Sequence, residues 1–163
     1  MATSTIELTE GKLSDVTADE FDTFLQQIEA LKRLQILHLF NNLFTALPES
    51  IGQLTSLMAL TIGQNRLSAL PESIGNLTSL KHLIVEDNQL TCLPESMVHL
   101  QNIDELILSR NQLTVLPDFI GHFKQISILS VVDNYLTTIP KSIKSLPLLD
   151  HLATQGNKLI DEQ

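Results

Sequence analysis

Tryptophan is absent, and six phenylalanines and one tyrosine are the only other large aromatics in 163 residues. A core drawn from the 43% of apolar residues therefore has to be aliphatic. The single cysteine, Cys92, excludes an intramolecular disulfide and fits a reducing compartment. No apolar run approaches the length that crosses a bilayer. The opening MATSTIELTEGK lacks a basic stretch followed by an apolar one, so it does not read as a secretory leader. The sequon Asn76-Leu77-Thr78 is then a coincidence of composition, and the expected location is cytoplasmic. Cations are scarce: ten Lys and Arg stand against nineteen Asp and Glu, a net charge of −9. Such a surface repels nucleic acid and anionic membrane. Much of the acidity lies in the first thirty residues, where it serves solubility or offers a patch to a basic partner.

What is present is a period. Asparagines stand at 42, 65, 88, 111, 134 and 157, each 23 residues after the last. Around them recur LQILHLFNNLF, LMALTIGQNRL, LKHLIVEDNQL, IDELILSRNQL, ISILSVVDNYL and LDHLATQGNKL. Prolines at 48, 71, 94, 117 and 140 keep the same spacing.

In LKHLIVEDN, Leu83 and Val85 face one way and His82, Ile84 and Glu86 the other, as on a strand. After Asn88 the chain has to turn back. Leu90, Leu93, Met97 and Leu100 then point inward, with Pro94 opening a short helical or 3-10 segment. One repeat is one coil, and a coil buries its apolar side only against neighbouring coils. The expected fold is an α/β solenoid, a right-handed superhelix with parallel strands on a concave face and short helical segments on the convex one. The asparagine sits where the strand ladder ends, and a buried amide can both donate to and accept from main chain there.

Residues 1–33 are expected to cap the front of the array. Thr17 and Glu20 form a capping box for an amphipathic helix whose apolar face is Phe21, Phe24, Leu25, Ile28 and Leu31. TIELTEGKL before it suits a short hairpin around Glu10-Gly11. Residues 34–163 hold six repeats, giving six strands, the last repeat truncated soon after Leu159. That end is either a polar, frayed cap or an open strand edge through which two copies pair.

No chemistry stands out. There is no Gly-rich phosphate loop and no Ser/His/Asp motif. Cys92 has no marked histidine partner. His99 and His122 are one period apart, but no third metal ligand can be named. The expectation is no catalytic, cofactor or metal residue, and no enzyme.

The candidate site is the inner face. Core positions repeat from coil to coil, whereas the outward positions do not. Ile84, Ile107, Ile128 and Val132 form an apolar centre, rimmed by His82, Glu86, Glu105, Ser109 and Arg110, with Ser130 in the same columns. Ile36 and Phe40 make a second apolar spot towards the front, beside Leu43. An apolar centre with a polar rim is the anatomy of a protein interface. Ile and Val also favour strands for their own sake, so the cluster is explained by either. For Phe40, packing on the N-terminal lid competes with contact to a partner.

LPESIGQLTSLMALTIGQNRLSALPESIGNLTSL resembles the 23-residue class of intracellular leucine-rich repeats, found in Ras-suppressor and Ras-binding scaffold proteins, in plant intracellular Ras-group-related proteins and in bacterial proteins delivered into host cells. The resemblance implies a curved solenoid that binds a protein partner through its inner face as a scaffold or effector and has no activity of its own. A substrate-recognition arm for a separate ligase or phosphatase is the alternative reading, and a structural homodimer through the open end a third.

Overall fold

A computed structural model describes residues 4–7, 16–27 and 33–160 of the chain. Seven short strands form one sheet in sequence order: β1 (Thr5–Glu7), β2 (Ile36–His38), β3 (Ala59–Thr61), β4 (His82–Ile84), β5 (Glu105–Ile107), β6 (Ile128–Ser130) and β7 (His151–Ala153). All pairs are parallel. From β2 onward each residue faces the one 23 positions later, as in Leu60↔Leu83 and Ile84↔Ile107. The sequence period is thus the register of the sheet, and equivalent side chains stack at the strand spacing of about 4.8 Å.

Each strand from β2 to β6 is followed by a return through a 3-10 turn with proline at its N-cap, as at Glu72–Asn76 after Pro71 and Glu95–His99 after Pro94. The leucines of strand and return meet in one continuous core: Leu83, Val85, Leu90, Met97 and Leu100 are fully buried, as are their equivalents in neighbouring coils. Full burial of such a side chain is worth about 1.5–3 kcal/mol.

Where glycine is the fourth residue of a 3-10 turn, at Gly52, Gly75 and Gly121, the next return stacks more tightly than a larger residue allows. A Cβ on Gly75 would lie 2.3 Å from the Ser96 carbonyl oxygen, and one on Gly52 would lie 2.5 Å from that of Ser73. Only glycine fits beneath the next serine there. The buried hydroxyls of Ser50, Ser73 and Ser96 have no hydrogen-bond partner among the described residues. A glutamate from the preceding coil caps the next 3-10 turn: Glu49 Oε2 accepts the Ser73 N–H at 2.9 Å, and Glu72 Oε2 the Ser96 N–H at 3.3 Å.

The helix α1 spans Ala18–Gln27. Its capping box is formed: the Thr17 N–H donates to Glu20 Oε2 at 2.8 Å and the Glu20 N–H to Thr17 Oγ1 at 3.2 Å. These bonds, the Thr17 backbone N–H first and its side chain second, hold the Glu20 carboxyl below its ordinary range. Phe21 and Leu25 are buried, and the Phe21 ring lies 5.1 Å from that of Phe44. The side chain of Phe24, together with Ile28 and Leu31, lies outside the described residues, and so does the turn expected at Glu10-Gly11.

Thr5–Glu7 lies parallel to β2, with Ile6 opposite Leu37. Among the described residues the sheet therefore has seven strands rather than the six expected. At the far end, Leu152 of β7 is 40% exposed, whereas its equivalents Leu60, Leu83, Leu106 and Leu129 are fully buried.

Candidate interaction surface

The side of the sheet away from the core carries the outward residues of each strand. His82, Ile84, Glu105, Ile107, Ile128 and Ser130 are all half-buried there, held in place because the alternate residues Leu83, Leu106 and Leu129 are anchored in the core. Ile84 and Ile107 are register partners. Ile128 is diagonal to Ile107, since its own partner on β5 is Glu105. Val132 lies two residues past β6. The four aliphatics thus share one part of the open face. Ile36 and Phe40 do not join them; Ala59, Thr61 and Gly63 intervene.

Phe40 lies across Gly63, where a Cβ would come within 3.0 Å of the ring. The missing side chain of Gly63 is the niche that seats the phenyl group on the open face. Leu43 beside it is 45% exposed.

The polar rim is largely paired within itself. Arg110 donates through Nε to Asp87 Oδ1 at 2.6 Å and through Nη2 to Asp87 Oδ2 and Glu86 Oε2, both at 2.8 Å. The side-chain bond to Asp87 is the main cause of the raised guanidinium pKa, so the charge is fixed at every ordinary pH. His82 Nδ1 lies 3.2 Å from Glu105 Oε2. Ser109 is only 4% exposed and shares a 2.6 Å hydrogen bond with Ser130, so it lies beneath the surface and supports Ser130 rather than presenting itself.

The rim is shaped by a backbone feature. Asn41, Gln64, Asp87, Arg110 and Asp133 all have φ between 53° and 56°, and Gly156 has 73°. This left-handed residue lies just past each strand from β2 to β7 and, where it is not glycine, carries its side chain at the lip of the sheet. The buried asparagine that follows pins the turn. Asn88, for example, donates to Ile62, Val85 and Glu86 carbonyls and accepts the Leu67 N–H.

Sequence columns also missed the residue just before each strand. Gln35 donates to Met58 Sδ at 3.7 Å, and Ser127 Oγ donates to Asp104. The same 23-residue spacing, read one place earlier, marks this column.

Among the described residues no group of three or more His, Cys, Asp or Glu side chains is placed to hold a metal ion. His99 and His122 are exposed at the ends of successive 3-10 turns, and Cys92 is exposed on a loop. No described helix is long and apolar enough to cross a membrane.

Comparison with known proteins agrees with this geometry. A family model for a leucine-rich repeat region matches residues 15–88, and a second, for a single leucine-rich repeat, matches residues 102–123. The chain is a leucine-rich repeat protein. No curated protein matches the sequence at a significant level. Among solved structures it is similar to a leucine-rich repeat protein of Leptospira interrogans, with 31% identity and a TM-score of 0.84 over 96% of this chain and 38% of that one. It is also similar to an internalin of Listeria monocytogenes, with 26% identity and a TM-score of 0.65 over 81% of this chain and 36% of that one. A third similar structure is the ectodomain of the Arabidopsis thaliana receptor kinase GASSHO1/SCHENGEN3, solved in complex with Casparian strip integrity factor 2. There the identity is 30% and the TM-score 0.74, over 85% of this chain and 17% of that one. The chain thus spans less than two fifths of each of these structures. Leucine-rich repeat folds are generally protein-interaction modules.

Proposed function

We propose that this chain is a protein-binding module whose open sheet face, around Ile84, Ile107, Ile128 and Val132, receives a protein partner, in the manner of a scaffold. One observation carries the reading. Side chains at core positions repeat coil after coil and are fully buried, while the register-matched outward positions carry a different residue at nearly every coil. Folding alone accounts for the first set and asks nothing so individual of the second. The mechanism is rigid presentation: the face is already ordered by the core behind it, so docking loses little conformational entropy. The exposed single thiol, Cys92, suits a reducing compartment.

The test is the double substitution Ile107→Asp with Ile128→Asp, compared with wild type in a crosslinking pull-down. Lys144→Glu, exposed on a return, is the control. Lys124 is less suitable, because its Nζ donates to the Gly121 carbonyl at 2.7 Å. The reading expects partner capture to be lost while thermal unfolding remains cooperative and shifts only slightly. Undiminished capture removes the open face from consideration.

A second reading, a recognition arm within a larger assembly, is favoured by the similar receptor structure, in which the repeat array is the ectodomain of a kinase and is seen in complex with Casparian strip integrity factor 2. The intact mass of the native gene product separates the two, since a longer product supports the arm.

A further inference from the structure

We propose that the partner is cationic: a protein segment that seats an aliphatic side chain on Ile84, Ile107 and Ile128 and sets lysine or arginine against carboxylates on both flanks of that seat. This rests on the open-face reading above and goes on to the chemistry of the occupant.

The outward columns of β4 to β7, with the residues flanking each strand, hold six carboxylates against two cations, Lys81 and Arg110, a balance of −4 with the histidines neutral. The carboxylates are not clustered at one point. Asp104, Glu105 and Asp150 lie where strands enter the sheet, and Glu86, Asp87 and Asp133 where they leave it. The aliphatic seat lies between. From one flank to the other is about 15–20 Å, the reach of five or six extended residues of a partner.

Internal pairing sharpens the sign. Arg110 is consumed by Asp87 and Glu86, so that trio presents one net negative charge and no available cation. The Asp104 carboxylate accepts from the Ser127 hydroxyl, a neutral group. Asp133 is exposed at the lip, its carboxylate over Gly156, where a Cβ would strike Oδ1. An acidic partner, a nucleic acid or an anionic lipid surface would meet uncompensated like charge here, whereas a basic segment meets it on both sides of an apolar seat. Coils β2 and β3 carry no carboxylate or ammonium in the same columns, so the charge preference belongs to the isoleucine half of the face alone.

The experiment selects binders for the intact chain from a random displayed dodecapeptide library and titrates synthetic copies by fluorescence anisotropy. Selected peptides are expected to carry Lys or Arg on both sides of Ile, Leu, Val or Met. Their affinity should fall about fivefold with Asp133→Asn plus Glu105→Gln, and rise with Arg110→Gln. It should weaken about tenfold between roughly 0.05 and 0.5 M salt. Binding should vanish with Ile107→Asp plus Ile128→Asp. Acidic or uncharged peptides that still depend on Ile107 and Ile128 overturn the cationic assignment and leave the open face standing. Oligolysine binding as tightly as the selected peptides overturns the aliphatic seat. Peptides indifferent to the isoleucine pair overturn both readings.

Discussion

Asn111 completes the coil before its own: its Oδ1 accepts the Leu90 N–H at 2.9 Å, and its Nδ2 donates to the Val85 carbonyl at 2.9 Å. The same amide nitrogen also meets the Leu108 and Ser109 carbonyls of its own coil, at 3.1 and 3.3 Å. One side chain satisfies buried main chain in two successive coils. Asn65, Asn88 and Asn134 do the same in theirs.

Asn111→Ala strands the Leu90 N–H and is expected to lower stability by about 2–3 kcal/mol in urea unfolding. Asn111→Asp keeps the acceptor but points negative charge at three carbonyl oxygens, which raises the folded-state pKa of the new carboxyl. A group with a raised pKa retains its stability below the unfolded value and loses it as pH rises through the folded one. The deficit of the aspartate variant relative to wild type should therefore grow from acid to neutral pH.

Leu106 and Ile107 are adjacent in β5 and face opposite ways. Leu106→Ala is expected to cost about 2–5 kcal/mol, because that site is fully buried. Ile107→Asp, on the open side, should change unfolding by no more than about 1 kcal/mol. Comparable losses at both positions would contradict the placement of the core.

Gly75→Ala forces a Cβ to 2.3 Å from the Ser96 carbonyl oxygen, which only a backbone shift can relieve. Denaturant midpoints should show a loss of about 1–3 kcal/mol. Gly63→Ala meets the Phe40 ring at 3.0 Å and should cost less, since a side chain on the open face can move aside.

Glu49→Ala removes the acceptor for the Ser73 N–H, a cap supplied by one coil to the next. The expected loss is about 0.5–1 kcal/mol, with faster amide exchange at Ser73.

Glu20 is held below its ordinary pKa by the Thr17 N–H, with a further contribution from the Thr17 hydroxyl. A depressed carboxyl gives its stability above the unfolded value and loses it as pH falls through the folded one. Amide protection factors in α1, exchange rates taken relative to the intrinsic rate at each pH, should therefore fall in acid for wild type and approach those of Glu20→Ala, which are low throughout. Equal exchange in the two proteins at neutral pH would contradict the capping role.

Most of the scaffold was legible because identical chemistry recurs at a fixed interval. The buried leucines, the asparagine bonds, the prolines before the 3-10 turns and the pairing of His82 with Glu105 all follow from aligning coils. What escaped is what the period does not encode. β1 is three residues long, and its partner lies 31 positions away, so TIE alone carries no sign of parallel pairing. The left-handed lip residues share a conformation but no residue type. The glutamate caps are visible only once successive returns are known to touch. Ser109 looked like a surface hydroxyl from its column, and its burial depends on how its neighbours pack over it.

Among the described residues five of the six left-handed positions are not glycine, although each costs of the order of 1–2 kcal/mol in that conformation. Because the amide beneath fixes the turn, the identity of the lip side chain is free to change without disturbing anything below it. The edge of the sheet is therefore a row of interchangeable slots, where a new specificity can be written one coil at a time while the architecture stays as it was.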